Sequence, residues 1–393
     1  MGDCVDYRAD DCAPFEFVKV TPNRTPLCPE EYRSRIMVHT VHDGDVIPDW
    51  ILSAPQLKKI VRSGELCSKY TIERDWGANI VAQCLAETLG LAGYYRVTTA
   101  RMVMDFNRFP GSSPPDALQI DRMAIIQPLS HLLDHDQKRL ILEKYYDQIS
   151  HGMEAALDGK LLFLGIHSYD EHNASLTQRP EVSILTRALS YQQRSRLPYN
   201  QFDPLFPDVL AESSAHRVLR DRLALTLEKS GLLVEHNYPY CLPDGSLEIR
   251  SQPWLFFREV RRRFNSKHAE TIHDPAFELV WEMLLNTNLR LADAEALSGY
   301  LHRFRKAPGG RETEFSAARA AYDQIHRFVK NRPQLVGDYR NYANRTSAIG
   351  VEVRKDLVWE FDGLHPIQPR EHKAREIASK LALGVAEYLV KDR

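Results

Sequence analysis

The apolar positions of the chain switch repeatedly between a short period and a helical one. RIMVHTV (35–41) is a β-branched, apolar run that predicts a strand, and it leads into the turn HDGDVIP. DWGANIVAQCLAETLG then sets Ile80, Val81, Cys84, Leu85 and Leu89 on one face of a helix over 75–90, with Gly90 at its exit. Residues 95–108 read as one or two strands, closed by a loop at Pro110, Gly111, Pro114 and Pro115. A charged amphipathic helix follows over 136–157. LLFLGI (161–166) has the unbroken apolar character of a strand buried on both faces. VSILT (182–186) and LLVEH (232–236) are further strands, separated by a helix over 208–230, and YCLPDGSLEIR (240–250) reads as a hairpin. Strands alternating with helices predict an α/β fold with a mainly parallel central sheet flanked by helices.

After about Phe256 the pattern changes. FREVRRRF (257–264) is strongly basic, and 276–305 and 313–330 are purely helical in period, joined by the breaker APGG (307–310). Strand character returns in AIGVEVRKDLVW (348–359), and a last helix runs from about 371 to 390. The expected organisation is an irregular N-terminal extension over 1–34, rich in Asp, Pro and Cys, then an α/β domain over 35–393. A helical insertion over 257–345 would sit between two strands of that domain's sheet.

Composition narrows the function classes. With 393 residues and 43% hydrophobic content the chain has material for a large core, which excludes disorder as its main state. Lys and Arg number 51 against 53 Asp and Glu, so no basic excess exists to drive nucleic-acid binding. Charges interrupt every apolar stretch before the ~18 residues of a membrane span. The acidic start MGDCVDYRADDC has no apolar secretory core, and Asp6 argues against myristoylation at Gly2, so a cytoplasmic location is expected. Six cysteines without a CxxC are neither a disulfide framework nor a Cys-rich zinc module. No glycine-rich phosphate loop is present.

Open α/β sheets bind ligands beyond the carboxyl ends of their strands. Here one predicted strand ends in His42, Asp43, Gly44 and Asp45, a second in Asp105, Asn107 and Arg108, and a third in His167 and Ser168. Two histidines on different strand ends, with carboxylates nearby, suit a zinc site with an open position. The bland alternative for each is a hydrogen-bonded structural histidine. His131 and His135 have helical spacing but Leu132 where a HExxH motif needs Glu. Arg261, Arg262 and Arg263 read as a solvated helix face.

The order of these pieces resembles the N-formylglutamate amidohydrolase family. HDGDVIP is similar to its H-x-G-x-x-I-P turn, ERDWGA to its D-x-G-A helix start, and ARMVMDFNR to its S-R-x-x-x-D-x-N-R strand end, with Ala100 for Ser. LGIHS, HNYPY and GVEVRKDL follow in the family's order, from His42 to Leu357 overall. The resemblance implies a fold like that of zinc carboxypeptidases and aspartoacylases, and zinc-dependent (Zn2+) amide hydrolysis of a small-molecule or peptide substrate with a free carboxylate. His42 and His167 would be metal ligands, with Asp75 as the third and Asp45 or Glu73 as rivals. Asn107 and Arg108 would hold the carboxylate, a task that suits a planar guanidinium. Arg101 would polarise the scissile carbonyl. Asn237 and Tyr240 match the family's N-x-P-Y turn and would bind substrate. Glu352 would be the general base, with Glu248 as its rival. Segment 257–345 has no counterpart, so a larger amino acid derivative or a peptide is as compatible as N-formylglutamate. Other readings are a metallopeptidase or deacylase on the same scaffold, or a non-catalytic pseudo-hydrolase that binds a protein through the helical insertion.

Overall fold

The computed structural model describes residues 8–9, 13–110, 124–188, 202–243, 245–286 and 292–392. Cys4, Cys12 and most of the predicted proline loop at 110–115 lie outside them. The sheet is built from β1 (Phe15–Lys19), β2 (Ile36–Thr40), β3 (Gly93–Val97), β4 (Leu162–Tyr169), β5 (Val182–Leu185), β6 (Val234–His236) and β7 (Ser347–Arg354). Their spatial order is β1-β3-β2-β4-β7-β5-β6. The β1–β3 and β5–β7 pairs are antiparallel and the others parallel. β1 departs from the expected irregular extension. FEFVK alternates, and as an edge strand it needs a partner on one side only, which β3 supplies.

Helices α1 (Ala78–Leu89), α2 (Arg217–Glu228) and α3 (Glu371–Lys391) cover one face. In α3, Ile377, Leu381 and Val385 recur at helical spacing and are fully or almost fully buried against strand residues such as Leu164, Ile166, Val351 and Val353. Each such aliphatic side chain contributes roughly 1.5–3 kcal/mol of burial. The opposite face packs Met37, Phe163 and Ala348 on Tyr146, Ile149, Met153 and Trp254. Strand alternation turns His39, Gly165, His167 and Glu352 toward this second face.

Three expectations change in detail. Of the predicted strands over 95–108, only the stretch to Val97 is strand. Thr98 and Ala100 instead exchange backbone hydrogen bonds with Val46, and Gly44 lies so close to the carbonyls of Thr98 and Thr99 that a Cβ there would collide with them. The predicted hairpin over 240–250 is instead a turn followed by helix α4 (Leu247–Asn265). Residues 245–254 are buried on every side, so no helical period shows in their sequence. The helical segment therefore starts at Leu247, ahead of the expected 257. It continues through α5 (Pro275–Leu284), α6 (Ala292–His302), α7 (Glu312–Lys330) and α8 (Pro333–Arg340) before the chain re-enters the sheet at β7. Its own core joins Phe256, Phe257, Val260 and Phe264 of α4 to Phe277, Trp281, Phe315 and Phe328. The basic run turns outward, with Arg262 and Arg263 paired to Glu259.

Cys67 is disulfide-bonded, while Cys28 and Cys84 are buried thiols. No helix among the described residues is long and apolar enough to cross a membrane.

Glu248 and His39 form a pair with no solvent exposure, 3.2 Å apart, packed into the notch left by Gly165. A Cβ on Gly165 would collide with Glu248 Oε1 and come 2.8 Å from His39 Nε2. Gly165→Ala should therefore destabilise the protein by ~1–3 kcal/mol through overpacking. A lowered denaturant midpoint checks this, and an unchanged midpoint would mean that the Glu248 side chain can leave the notch.

Candidate active site

Four strand ends converge on one cavity of about 740 Å3. His42 follows β2, Asn107 and Arg108 follow β3 through a buried loop, His167 lies near the end of β4, and Glu352 is its register partner on β7. Asp75 arrives from the turn before α1. That turn is held by Asp43, whose carboxylate accepts the Asn79 amide at 2.9 Å and the Arg74 guanidinium at 2.6 Å. Because Asp43 takes the helix amide, the Asp75 carboxylate is left for the cavity.

His42, Asp75 and His167 are all buried and offer ligand atoms within 4.8 Å of one another. Asp75 Oδ2 lies 3.4 Å from His42 Nδ1 and 3.0 Å from His167 Nδ1. Ligands roughly 2.0–2.1 Å from a tetrahedral ion would stand ~3.3 Å apart, so these separations fit such an ion. On its other side His42 Nε2 meets Asp105 Oδ1 at 2.8 Å. Carboxylates in this position fix the tautomer and orientation of metal-ligating histidines. The residues present thus suit a divalent metal.

Electrostatics binds the cluster together. Burial opposes charge on His167, but the Asp75 hydrogen bond and the charge of Glu352 raise its pKa to about 9. Burial likewise opposes charge on Asp75, but hydrogen bonds from His167 and His42, with Arg101 nearby, hold its carboxyl well below the usual range. Arg101 donates to Asp75 Oδ1 and to Asp105 Oδ2, each at 3.2 Å. It lines the cavity, yet its terminal nitrogens are occupied, which is a different position from an arginine aimed at a substrate carbonyl.

Glu352 is 8% exposed. Its Oε1 accepts the Tyr240 hydroxyl at 2.8 Å, and its Oε2 has no hydrogen-bond partner among the described residues. Burial raises its pKa, His167 opposes this, and the Asp75 charge adds to it. Asn107 is buried with its Oδ1 unpartnered, and Arg108 is half exposed with Nε 3.7 Å from Asp105.

Other expected residues lie elsewhere. Asp45 pairs with Arg96 at 2.9 Å and does not line the cavity. Glu73 lines it but is paired to Lys69 at 2.6 Å. Glu248 is under the sheet with His39, outside the cavity. Asn237 does not reach the cavity either. Its side-chain oxygen accepts the amides of Thr186 and Arg187 at 2.8 and 3.2 Å, and at φ 53° it turns the chain that carries Tyr240. The Asn237 side chain thus clips the loop that carries Tyr240, and of this pair Tyr240 is the one that lines the cavity.

The structure also adds residues. Asp105 was legible only as a strand-end acid beside Arg101, although its place in the D-x-N-R motif marked it. Arg179 and Lys355 line the cavity with no local sequence signal. Lys355 pairs with Asp170 at 3.0 Å.

No curated protein matches the chain. Two solved structures are similar to the chain at low identity. The N-formylglutamate amidohydrolase from Ralstonia eutropha JMP134 is 12% identical with a TM-score of 0.47, covering 97% of this chain and 100% of that one. The gene product Atu2144 from Agrobacterium tumefaciens is 14% identical with a TM-score of 0.45, covering 92% and 93%. The family model described as N-formylglutamate amidohydrolase matches residues 34–253, more than half of the chain. That span contains His42, Asp75, Arg101, Asn107, Arg108, His167 and Tyr240, and it ends before Glu352. On that match, the chain belongs to the N-formylglutamate amidohydrolase family.

Proposed function

We propose that the protein is a zinc-dependent amidohydrolase on a zinc-carboxypeptidase-like scaffold, cleaving the N-formyl or N-acyl amide of a carboxylate-bearing amino acid or peptide-like substrate. The observation that carries this reading is the convergence of His42, Asp75 and His167 in one cavity, with Asp105 on the second nitrogen of His42. Family membership supports the amide chemistry.

Zinc bound there would supply Lewis-acid polarisation of the acyl oxygen and a water of lowered pKa. The remaining work falls to the chain's own groups. Glu352 is aimed into the cavity with one oxygen steadied by Tyr240 and the other free. It can take the proton of the attacking water at Oε2 and deliver it to the leaving amine nitrogen. Arg108 keeps a guanidinium half exposed at the cavity wall, beside the Asn107 amide, and can grip a substrate carboxylate through two parallel hydrogen bonds. Arg101, engaged by Asp75 and Asp105, holds the acidic residues in register.

Three outcomes test the reading. Purified protein should carry about one zinc per chain, and His42→Ala with His167→Ala should abolish it in elemental analysis. Unchanged metal content would move the site elsewhere. Glu352→Gln should retain zinc and fold while kcat falls by on the order of 10²–10⁴, with KM little changed. Glu248→Gln is the control, and a large kcat loss there with a near-normal Glu352→Gln would reverse the assignment. Arg108→Lys keeps the charge but loses the fork, so KM should rise for a carboxylate substrate and much less for its carboxamide. Equal losses on both would remove Arg108 from carboxylate recognition.

A further inference from the structure

A second cavity, of about 610 Å3, opens where the helical segment returns to the sheet. It touches Ser347, the first residue of β7, whereas the cavity described above touches Glu352 on the same strand. The two are five positions apart along the strand, roughly 16 Å at the rise of an extended chain. One wall is the entry to α2 and the other is the α8–β7 connection.

The lining is dominated by arginine: Arg187, Arg217, Arg220, Arg340 and Arg345, against the acids Glu212 and Asp392. The acids do little to balance them. Asp392 is held by Arg222 at 2.8 Å, and Glu212 approaches Arg340 only to 4.0 Å. Arg220 turns aside to Asp221 at 2.7 Å. Arg187 and Arg217 make no side-chain hydrogen bond or ion pair among the described residues, although both line the same space. Arg345 donates to the carbonyls of Leu210 and Ser213, each at 3.2 Å, and its guanidinium lies over the Tyr339 ring. Its burial and the nearby Arg340 charge push its pKa below the ordinary arginine value. So much like charge gathered in a concave site is relieved by a bound anion.

We propose that this cavity binds a small-molecule polyphosphate, either free pyrophosphate or the diphosphate of a nucleotide. Guanidinium groups grip phosphate oxygens in pairs, and several of them on facing walls match an anion with more than one phosphate. The volume lies within the range of small-molecule sites. The proposal is independent of the hydrolase reading, since the two cavities share no residue.

Isothermal titration of the full chain with sodium pyrophosphate, at fixed ionic strength, should give saturable binding near one per chain. Arg187→Ala with Arg217→Ala removes two exposed, unpaired side chains, so folding should survive while affinity falls ~10-fold or more. Lys229→Ala with Lys267→Ala, two exposed cations outside the cavity, should leave affinity unchanged. His42→Ala with His167→Ala should also leave it unchanged, which separates this site from the metal cluster. ADP binding tighter than pyrophosphate would assign the nucleotide, and equal or weaker binding would assign pyrophosphate. Absence of saturable binding overturns the proposal, as does an equal loss in the lysine variant. So does an oligonucleotide that binds and resists displacement by pyrophosphate.

Discussion

The Asp75 carboxylate is the point on which the site depends. One of its oxygens faces two buried imidazole nitrogens, and the other accepts from Arg101. A carboxylate taken this far from water costs several kcal/mol unless its lone pairs are met, and removing one partner of such a pair typically costs ~3–5 kcal/mol. Asp75 meets that demand by drawing β2, β4 and the loop after β3 toward one place. Asp105 repeats the device one layer out, shared between His42 and Arg101. The two acids and the arginine between them form a frame whose parts come from distant stretches of chain.

That frame needs a rigid support, and the sheet supplies it. β4 and β7 pair in parallel over their whole length, so His167 and Glu352 are carried side by side. The helices on one face make a largely aliphatic layer, and His39, His167 and Glu352 turn to the other. Beneath them, the His39–Glu248 pair shows how little space the second face leaves. Burial pushes the His39 pKa down. Burial would also push the Glu248 carboxyl up, but the adjacent His39 holds it at about 2. Gly165 exists at this position because nothing larger fits beside that pair.

The helical segment is tied to both parts of the molecule by α4. The first half of α4 is buried beneath the sheet, and its second half contributes four side chains to the helical core. A helix shared in this way couples the segment to the sheet. Tyr322 and His302 add a second tie by clasping Asp203 from two helices, at 2.9 and 3.0 Å. The return connection from α8 leads directly into β7, the strand that carries Glu352.

What the sequence determined by itself was whatever depends on local pattern. The strand at 36–40, the helix from Ala78 to Leu89 and the final helix follow from apolar period and glycine exits, because burial of one face dictates those positions. The strand-end residues His42 and His167 were legible for the same reason, since a polar residue after an apolar strand marks the sheet's carboxyl edge, whereas Asn107 and Arg108 stood out by their motif and lie on a loop about ten residues beyond β3. Tertiary structure decided the rest. The start of α4 is buried all round, so it carries no helical period and reads as a hairpin. The D-x-G-A resemblance favoured Asp75 over Asp45 and Glu73, and the geometry of the turn held by Asp43 is what directs the Asp75 carboxylate to the histidines. Asn237 and Tyr240 sit three residues apart in one motif, yet a positive φ sends one side chain to backbone amides and the other to Glu352. Side-chain direction at such turns, and partners brought from more than a hundred residues away, are set by three-dimensional packing and leave no local trace.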